Sequence, residues 1–188
     1  MLMGNDVERW GAVSIALHWL TFVLVLGIAI IGLLMTDMAS SPLKIQVYGL
    51  HKSFGLTVLA LTALRLLWRL IARSPEPVAQ TPAWQHAIAR LTHGAMYALL
   101  VAVPLSGWWF NSAAGFPLRW FGVLPLPKLS GFDAHAKALA RSTHETLFYV
   151  LAGLIAAHAL AALWHHYRLR DTTLSRMAPL LKSGNQGA

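Results

Sequence analysis

Four long apolar runs, separated by shorter stretches rich in polar residues, glycine and proline, dominate the pattern of this chain. They fall at about 13–35, 45–69, 89–110 and 143–167, each near the roughly 20 residues a helix needs to cross the hydrocarbon of a bilayer. The connections read MTDMASSPLK, ARSPEPVAQTPAW and NSAAGFPLRWFGVLPLPKLSGFDAHAK, all carrying turn and breaker residues. The pattern predicts an all-α fold, an integral membrane four-helix bundle running up and down, with 1–188 forming a single membrane domain and a short tail after the last span. The first run is longer than the apolar core of a usual signal peptide, so it is expected to remain as a span; its removal would also take away His18. Pro104, inside the third run, is expected to kink that helix or free a carbonyl without ending it. Gly27, Gly32, Gly55, Gly94 and Gly153 permit close approach of a neighbouring helix or a flat cofactor.

Composition agrees with this picture. The chain is 56% hydrophobic and only 12% charged, with a mean hydropathy of +0.54, too apolar for an ordinary soluble domain of this length. A formal charge of +8 would suggest nucleic acid in a soluble protein, but here most basic residues flank the apolar runs, which points to membrane anchoring instead. If the N-terminus is inside, the inner side holds Arg9, Arg65, Arg69, Arg73, Arg90, Arg168, Arg170, Arg176 and Lys182. The outer side then holds Lys44, Lys52, Arg119, Lys128, Lys137 and Arg141, with Asp37, Asp133 and Glu145 as its acids. This bias favours both termini in the cytoplasm.

The chain has no cysteine and nine histidines, so disulfides, thiolate metal sites and thiol catalysis are excluded and any metal must sit on histidine or carboxylate. An ionisable side chain inside a span is costly without a partner and is a functional candidate by default. His144 and His158 lie fourteen residues apart in the fourth run. On a helix this is roughly 21 Å along the axis, at azimuths about 40° apart, which is one site near each membrane face. By depth, His18 matches His158 on the inner side and His51 matches His144 on the outer side. Tetrahedral zinc would need two further ligands at each level. A haem supplies four equatorial nitrogens and needs just two axial ligands, one from each of two helices, so the pairs His18/His158 and His51/His144 point to two haem groups engaged in electron transfer. Lys52 and Arg141 outside, and Arg9 or Arg168 inside, are the basic residues placed to meet haem propionates. His93, near the inner start of the third run, can replace either inner ligand or touch a quinone. His165 and His166 sit beside Trp164 and Tyr167 in an interfacial belt, and His86 and His135 fall in loops or at span edges.

The runs Ser14-Ile15-Ala16-Leu17-His18-Trp19-Leu20, His51-Lys52-Ser53-Phe54-Gly55, Ala102-Val103-Pro104-Leu105-Ser106-Gly107, His144-Glu145-Thr146-Leu147 and Ala157-His158 occur in an order and spacing that resembles the bacterial cytochrome b561 family. Trp164-His165-His166-Tyr167 and Asp171-Thr172-Thr173-Leu174-Ser175-Arg176-Met177 extend the likeness, which spans about residues 7–179. The resemblance implies a multi-pass protein of the bacterial inner membrane with an inner haem on His18 and His158, an outer haem on His51 and His144, and an electron path to or from ubiquinone or menaquinone. One type in that family takes electrons from superoxide on the periplasmic side and passes them to quinone; a basic outer surface suits that task, because positive charge steers a small anion. Other members are cytochrome subunits that pass electrons between a dehydrogenase or hydrogenase partner and quinone. A histidine-using proton or metal transporter is a third reading, against which stand the lack of an internal repeat and of midplane carboxylates.

Overall fold

A computed structural model describes residues 3–7, 9–76 and 82–179; Lys182, counted among the inner cations, lies outside them. Four helices are each long and apolar enough to cross a membrane: α1 (Ala12–Asp37), α2 (Pro42–Ile71), α3 (Ala83–Ala113) and α4 (Ala134–Trp164). α1, α2 and α3 overrun the apolar stretches read from sequence at both ends, and α4 starts nine residues earlier because Asp133 caps it but gives way to a π-helical turn at His165. The Asp133 carboxylate accepts the His135 and Ala136 amides at 2.8 and 2.9 Å, so His135 lies in a first helical turn. At the start of α2, Ser41 Oγ accepts the Lys44 amide at 3.2 Å and Pro42 follows the cap, as favoured at helix N-termini. Lys44 Nζ then donates to the Met38 and Thr36 carbonyls at 2.6 and 3.3 Å, capping α1 from the neighbouring helix. α3 runs unbroken through Pro104.

Large apolar side chains face outward and small polar ones face in. Leu70, Ile71 and Val23 are exposed, whereas Ser14, Thr21, Ser53, Thr62, Ser106, Asn111 and Ser112 are buried. This inverts the soluble pattern and is what helices solvated by lipid require, since small residues let backbones approach. The buried hydroxyls of Thr21, Ser53, Thr62 and Ser112 satisfy themselves on carbonyls four residues back, removing the cost of an unpaired donor in hydrocarbon.

α1 packs along α2, α2 along α3, and α3 along α4, but no Cα of α4 comes within 8 Å of α1 or α2. The bundle is therefore two helical hairpins joined at α2–α3, with a gap between α4 and the first hairpin. A thin apolar layer closes that gap at mid-depth: Val58, Leu100 and Leu151 are buried there, with Leu24, Val25, Met96, Leu99, Val103 and Ile155 against them.

The long connection between α3 and α4 is the one departure from an all-helical fold among the described residues. β1 (Leu118–Trp120) pairs antiparallel with β2 (Leu124–Leu126), Trp120 opposite Leu124. Phe121 and Gly122 adopt φ of 48° and 75°, and the Val123 amide closes the turn on the Trp120 carbonyl at 3.0 Å, a primed turn of the kind that joins twisted strands. The unusual backbone at Phe121 is held from outside, since its amide donates to Ser53 Oγ at 2.9 Å and its ring stacks edge-on against Phe54. The face bearing this hairpin is called the hairpin face; the opposite one, where α1 begins and α2 and α4 end, is the terminal face.

Candidate functional site

The structure brings the four span histidines together in two pairs, one near each face. His18 of α1 and His158 of α4 have ring centres 6.3 Å apart toward the terminal face, and His51 of α2 and His144 of α4 are also 6.3 Å apart toward the hairpin face. Each pair spans the gap between α4 and the first helical hairpin, and the layer around Val58, Leu100 and Leu151 lies between the two levels. A metal between two imidazoles needs two bonds of about 2 Å plus roughly 1 Å from each nitrogen to its ring centre, or about 6 Å in all. Both pairs fit that span. No group of three or more metal-binding side chains occurs among the described residues, so a metal held here has to bring its remaining ligands with it, as haem iron does.

The hairpin-face pair is seated on glycines. A Cβ at Gly32 of α1 would lie 2.8 Å from His51 Cε1, and one at Gly107 of α3 would lie 3.1 Å from His144 Cε1. The tautomer of His144 is set by its surroundings: Nδ1–H donates to the Val103 carbonyl at 3.0 Å, with Ser106 Oγ a further 3.1 Å neighbour that itself donates to the same carbonyl. This leaves the Nε2 lone pair of His144 available as a ligand. The carbonyl in question precedes Pro104 and is not the one four residues back that the missing proline N–H relieves. His51 Nδ1 is buried without a well-aligned hydrogen bond, beside the Ile28 carbonyl.

The terminal-face level is more crowded. The His93 ring of α3 lies 5.2 Å from that of His158, in an edge-to-face contact closer than the span a bridging metal requires. Arg65 Nη2 donates to His18 Nδ1 at 3.3 Å, and the guanidiniums of Arg65 and Arg69 lie 5.3 and 5.8 Å from the centre of the Tyr97 ring. Arg65 lies inside the apolar run, half-buried and in contact with a pair histidine, and an ionisable side chain so placed in a span is a functional candidate. The sequence reading assigned Arg65 only to the inner charge count; its position fourteen residues after His51 was the available clue, since that spacing sets it on nearly the same helix face as a ligand.

His165 and His166 lie in a π-helical turn that ends α4. His165 Nδ1 pairs with Asp171 Oδ2 at 2.5 Å, and Asp171 Oδ1 accepts the Thr173 amide at 2.8 Å. Burial raises the Asp171 pKa, but the His165 and Thr173 hydrogen bonds outweigh it and hold the carboxyl below its ordinary value. The turn returns the tail to α1, where Trp19 Nε1 donates to the Met177 carbonyl at 2.8 Å. Arg176 donates to the Glu76 carbonyl at 2.6 Å and Asn5 to that of Arg73 at 2.8 Å, so the chain ends and the α2–α3 connection are stitched together. A carboxylate with a depressed pKa stabilises the fold above its unfolded value of 3.8 and stops doing so as pH falls through the lower folded value. Asp171→Asn is expected to speed amide exchange over 173–178 by about tenfold or more, the worth of a hydrogen bond to a charged group. In the parent chain the same acceleration is expected only below the ordinary carboxylate range. Mass spectrometry of exchange checks both, and unchanged rates in the variant would remove Asp171 as the tether.

Together these features define a multi-pass helical membrane protein of redox type, with paired histidines at two depths. Residues 9–179 match the family described as prokaryotic cytochrome b561, and the chain belongs to that family. It is 34% identical over 179 residues to "Cytochrome b561 homolog 2" of Escherichia coli (strain K12), covering 94% of this chain and 95% of that protein. To "Cytochrome b561 homolog 1" of the same organism it is 34% identical over 180 residues, 94% and 100% of the two chains. To "Probable superoxide oxidase CybB" of Yersinia pestis it is 31% identical over 173 residues, 92% and 97%. The protein is thus a multi-pass bacterial membrane cytochrome of electron transport.

Proposed function

We propose that the protein is a two-haem b cytochrome that transfers electrons from superoxide, met at the hairpin face, to a membrane quinone, ubiquinone or menaquinone. The observation that carries this reading is the pair of 6.3 Å histidine spans at two depths, both served by α4. His18 and His158 would hold one haem and His51 and His144 the other, with the termini in the cytoplasm. Haem held by two histidines supplies a reversible one-electron couple with no open iron position.

The chain's own residues do the rest. The Val103 carbonyl and Ser106 orient His144, and the apolar layer at mid-depth keeps water from joining the two levels. On the hairpin face six basic side chains stand against three acidic ones, a field that raises the encounter rate of a small anion. Lys52 is tied to Asn111 Oδ1 at 3.1 Å, which holds one of those charges in place, while Arg141 pairs with Glu145 at 2.8 Å. The balance is two superoxide ions giving one electron each, and one quinone taking both with two protons to leave two dioxygen molecules and quinol. The "probable superoxide oxidase" name of the Yersinia pestis relative supports the donor.

The purified chain is expected to show a sharp low-spin b-type spectrum at two haems per chain. With quinone present, superoxide is expected to disappear faster than it dismutates, with one quinol per two superoxide ions and a rate that falls as salt screens the hairpin face. A colourless chain would refute the haem reading. Two haems without quinone-dependent superoxide loss would refute the donor and acceptor alone.

A further inference from the structure

We propose that Arg65 and Arg69 of α2, set over the Tyr97 ring of α3, form a carboxylate clamp for the propionates of a haem held by His18 and His158. This rests on the functional reading above and adds a binding site on side chains that were assigned no ligand.

The first argument is charge. Arg65 lies six residues before the end of α2, about 9 Å inside the helix, and is half-buried. Among the described residues the ion pairs are Arg141–Glu145 and His165–Asp171, and neither arginine has a carboxylate partner. Two guanidiniums share one neutral aromatic ring. Cation–π contact offsets part of the desolvation of a guanidinium, but a buried charge within a span ordinarily meets an opposite charge.

The second argument is the tautomer of His18. Arginine only donates, so the 3.3 Å contact from Arg65 makes His18 Nδ1 an acceptor and places its proton on Nε2. Ligation through Nε2 requires the other tautomer, with Nδ1–H, which Arg65 cannot accept. Arg65 then loses His18 as an acceptor and keeps the Tyr97 hydroxyl, and the freed edge of a planar guanidinium matches a carboxylate in a bidentate fork. Arg69, one turn closer to the terminal face, extends the positive strip from the histidine level toward the interface. An oxyanion reaching this strip comes from the haem edge or from a lipid phosphate. The contact with His18, at the ligand pair itself, favours the haem.

Redox titration of the holoprotein in nanodiscs of zwitterionic lipid tests the clamp. Loss of a nearby cation disfavours the reduced form, so Arg65→Gln is expected to lower the reduced-to-oxidised ratio of the terminal-level haem at least tenfold at fixed potential. That is about 59 mV for a one-electron couple. The hairpin-level haem should not move, and Arg65→Lys should recover most of the shift. If Arg65→Gln sheds the terminal-level haem, retention in Arg65→Lys supports the clamp. An unchanged midpoint with both haems bound overturns it, as does loss of that haem from both variants, which would mark a packing role. A shift that appears only in bilayers containing anionic lipid also overturns it, assigning the oxyanion to a headgroup. A haem-free parent chain would instead be a failure of the proposed function.

Discussion

His158→Ala is expected to leave one haem per chain, the one at the hairpin face, and His51→Ala is expected to leave the other. The two pairs draw on different helices of the first hairpin, and the apolar layer lies between them, so a ligand lost at one level removes nothing from the other. On the proposed pairing each haem would have two protein ligands, and the loss of either would open a coordination position and empty or destabilise that site. His144→Ala should resemble His51→Ala, and His18→Ala should resemble His158→Ala. His93→Ala is the discriminating variant. Its ring touches that of His158 at 5.2 Å while His18 stands at 6.3 Å, so both haems should survive its removal. Haem quantitation with reduced-minus-oxidised spectra checks the series. Two full haems in His158→Ala combined with one in His93→Ala would transfer the ligand role to His93.

Much of this was legible in the sequence because membrane insertion makes few demands, and all of them are local. Length and apolarity found the four spans, and the fourteen-residue spacing of His144 and His158 placed two levels on one helix before any partner was known. The helix ends were less legible. α4 begins at Ala134 through the cap at Asp133, and hydropathy does not register a hydrogen bond. The β1–β2 hairpin was missed for a related reason. Its strands are three residues each, and what holds them is contact with Ser53, Thr57 and Phe54 far away in the chain.

Electrostatic partners were the least legible part. Sequence reading offered Lys52, Arg141, Arg9 and Arg168 as propionate partners because they flank the spans. The structure engages Lys52 with Asn111 and Arg141 with Glu145, and it is Arg65 that stands against a pair histidine. The His165–Asp171 pair escaped notice because it depends on a left-handed residue, Arg170 at φ 55°, to fold the chain back.

Gly32→Ala is expected to weaken the hairpin-face site more than any other glycine-to-alanine change in the spans. The added methyl would lie 2.8 Å from Cε1 and 3.3 Å from Nδ1 of His51, and the His51 ring is not free to retreat if it is also to face His144 across 6.3 Å. Overpacking of this kind costs about 1–3 kcal/mol, or roughly 5- to 150-fold in the retention of a ligand. Gly107→Ala repeats the experiment against His144 at 3.1 Å and is expected to do less, because a few tenths of an ångström relieve it. Gly27, Gly94 and Gly153, equal candidates for close approach in the sequence, would each place a Cβ with nothing within 4 Å, and at Gly55 the contact is an ordinary 3.5 Å to Ile28 Cδ1. Alanine at those four positions meets no protein atom closer than 3.5 Å and should bring the modest gain in helix stability that alanine has over glycine. Haem retention during challenge with apomyoglobin measures the ranking. Equal losses from Gly32→Ala and Gly94→Ala would show that the loss does not come from the clash with His51.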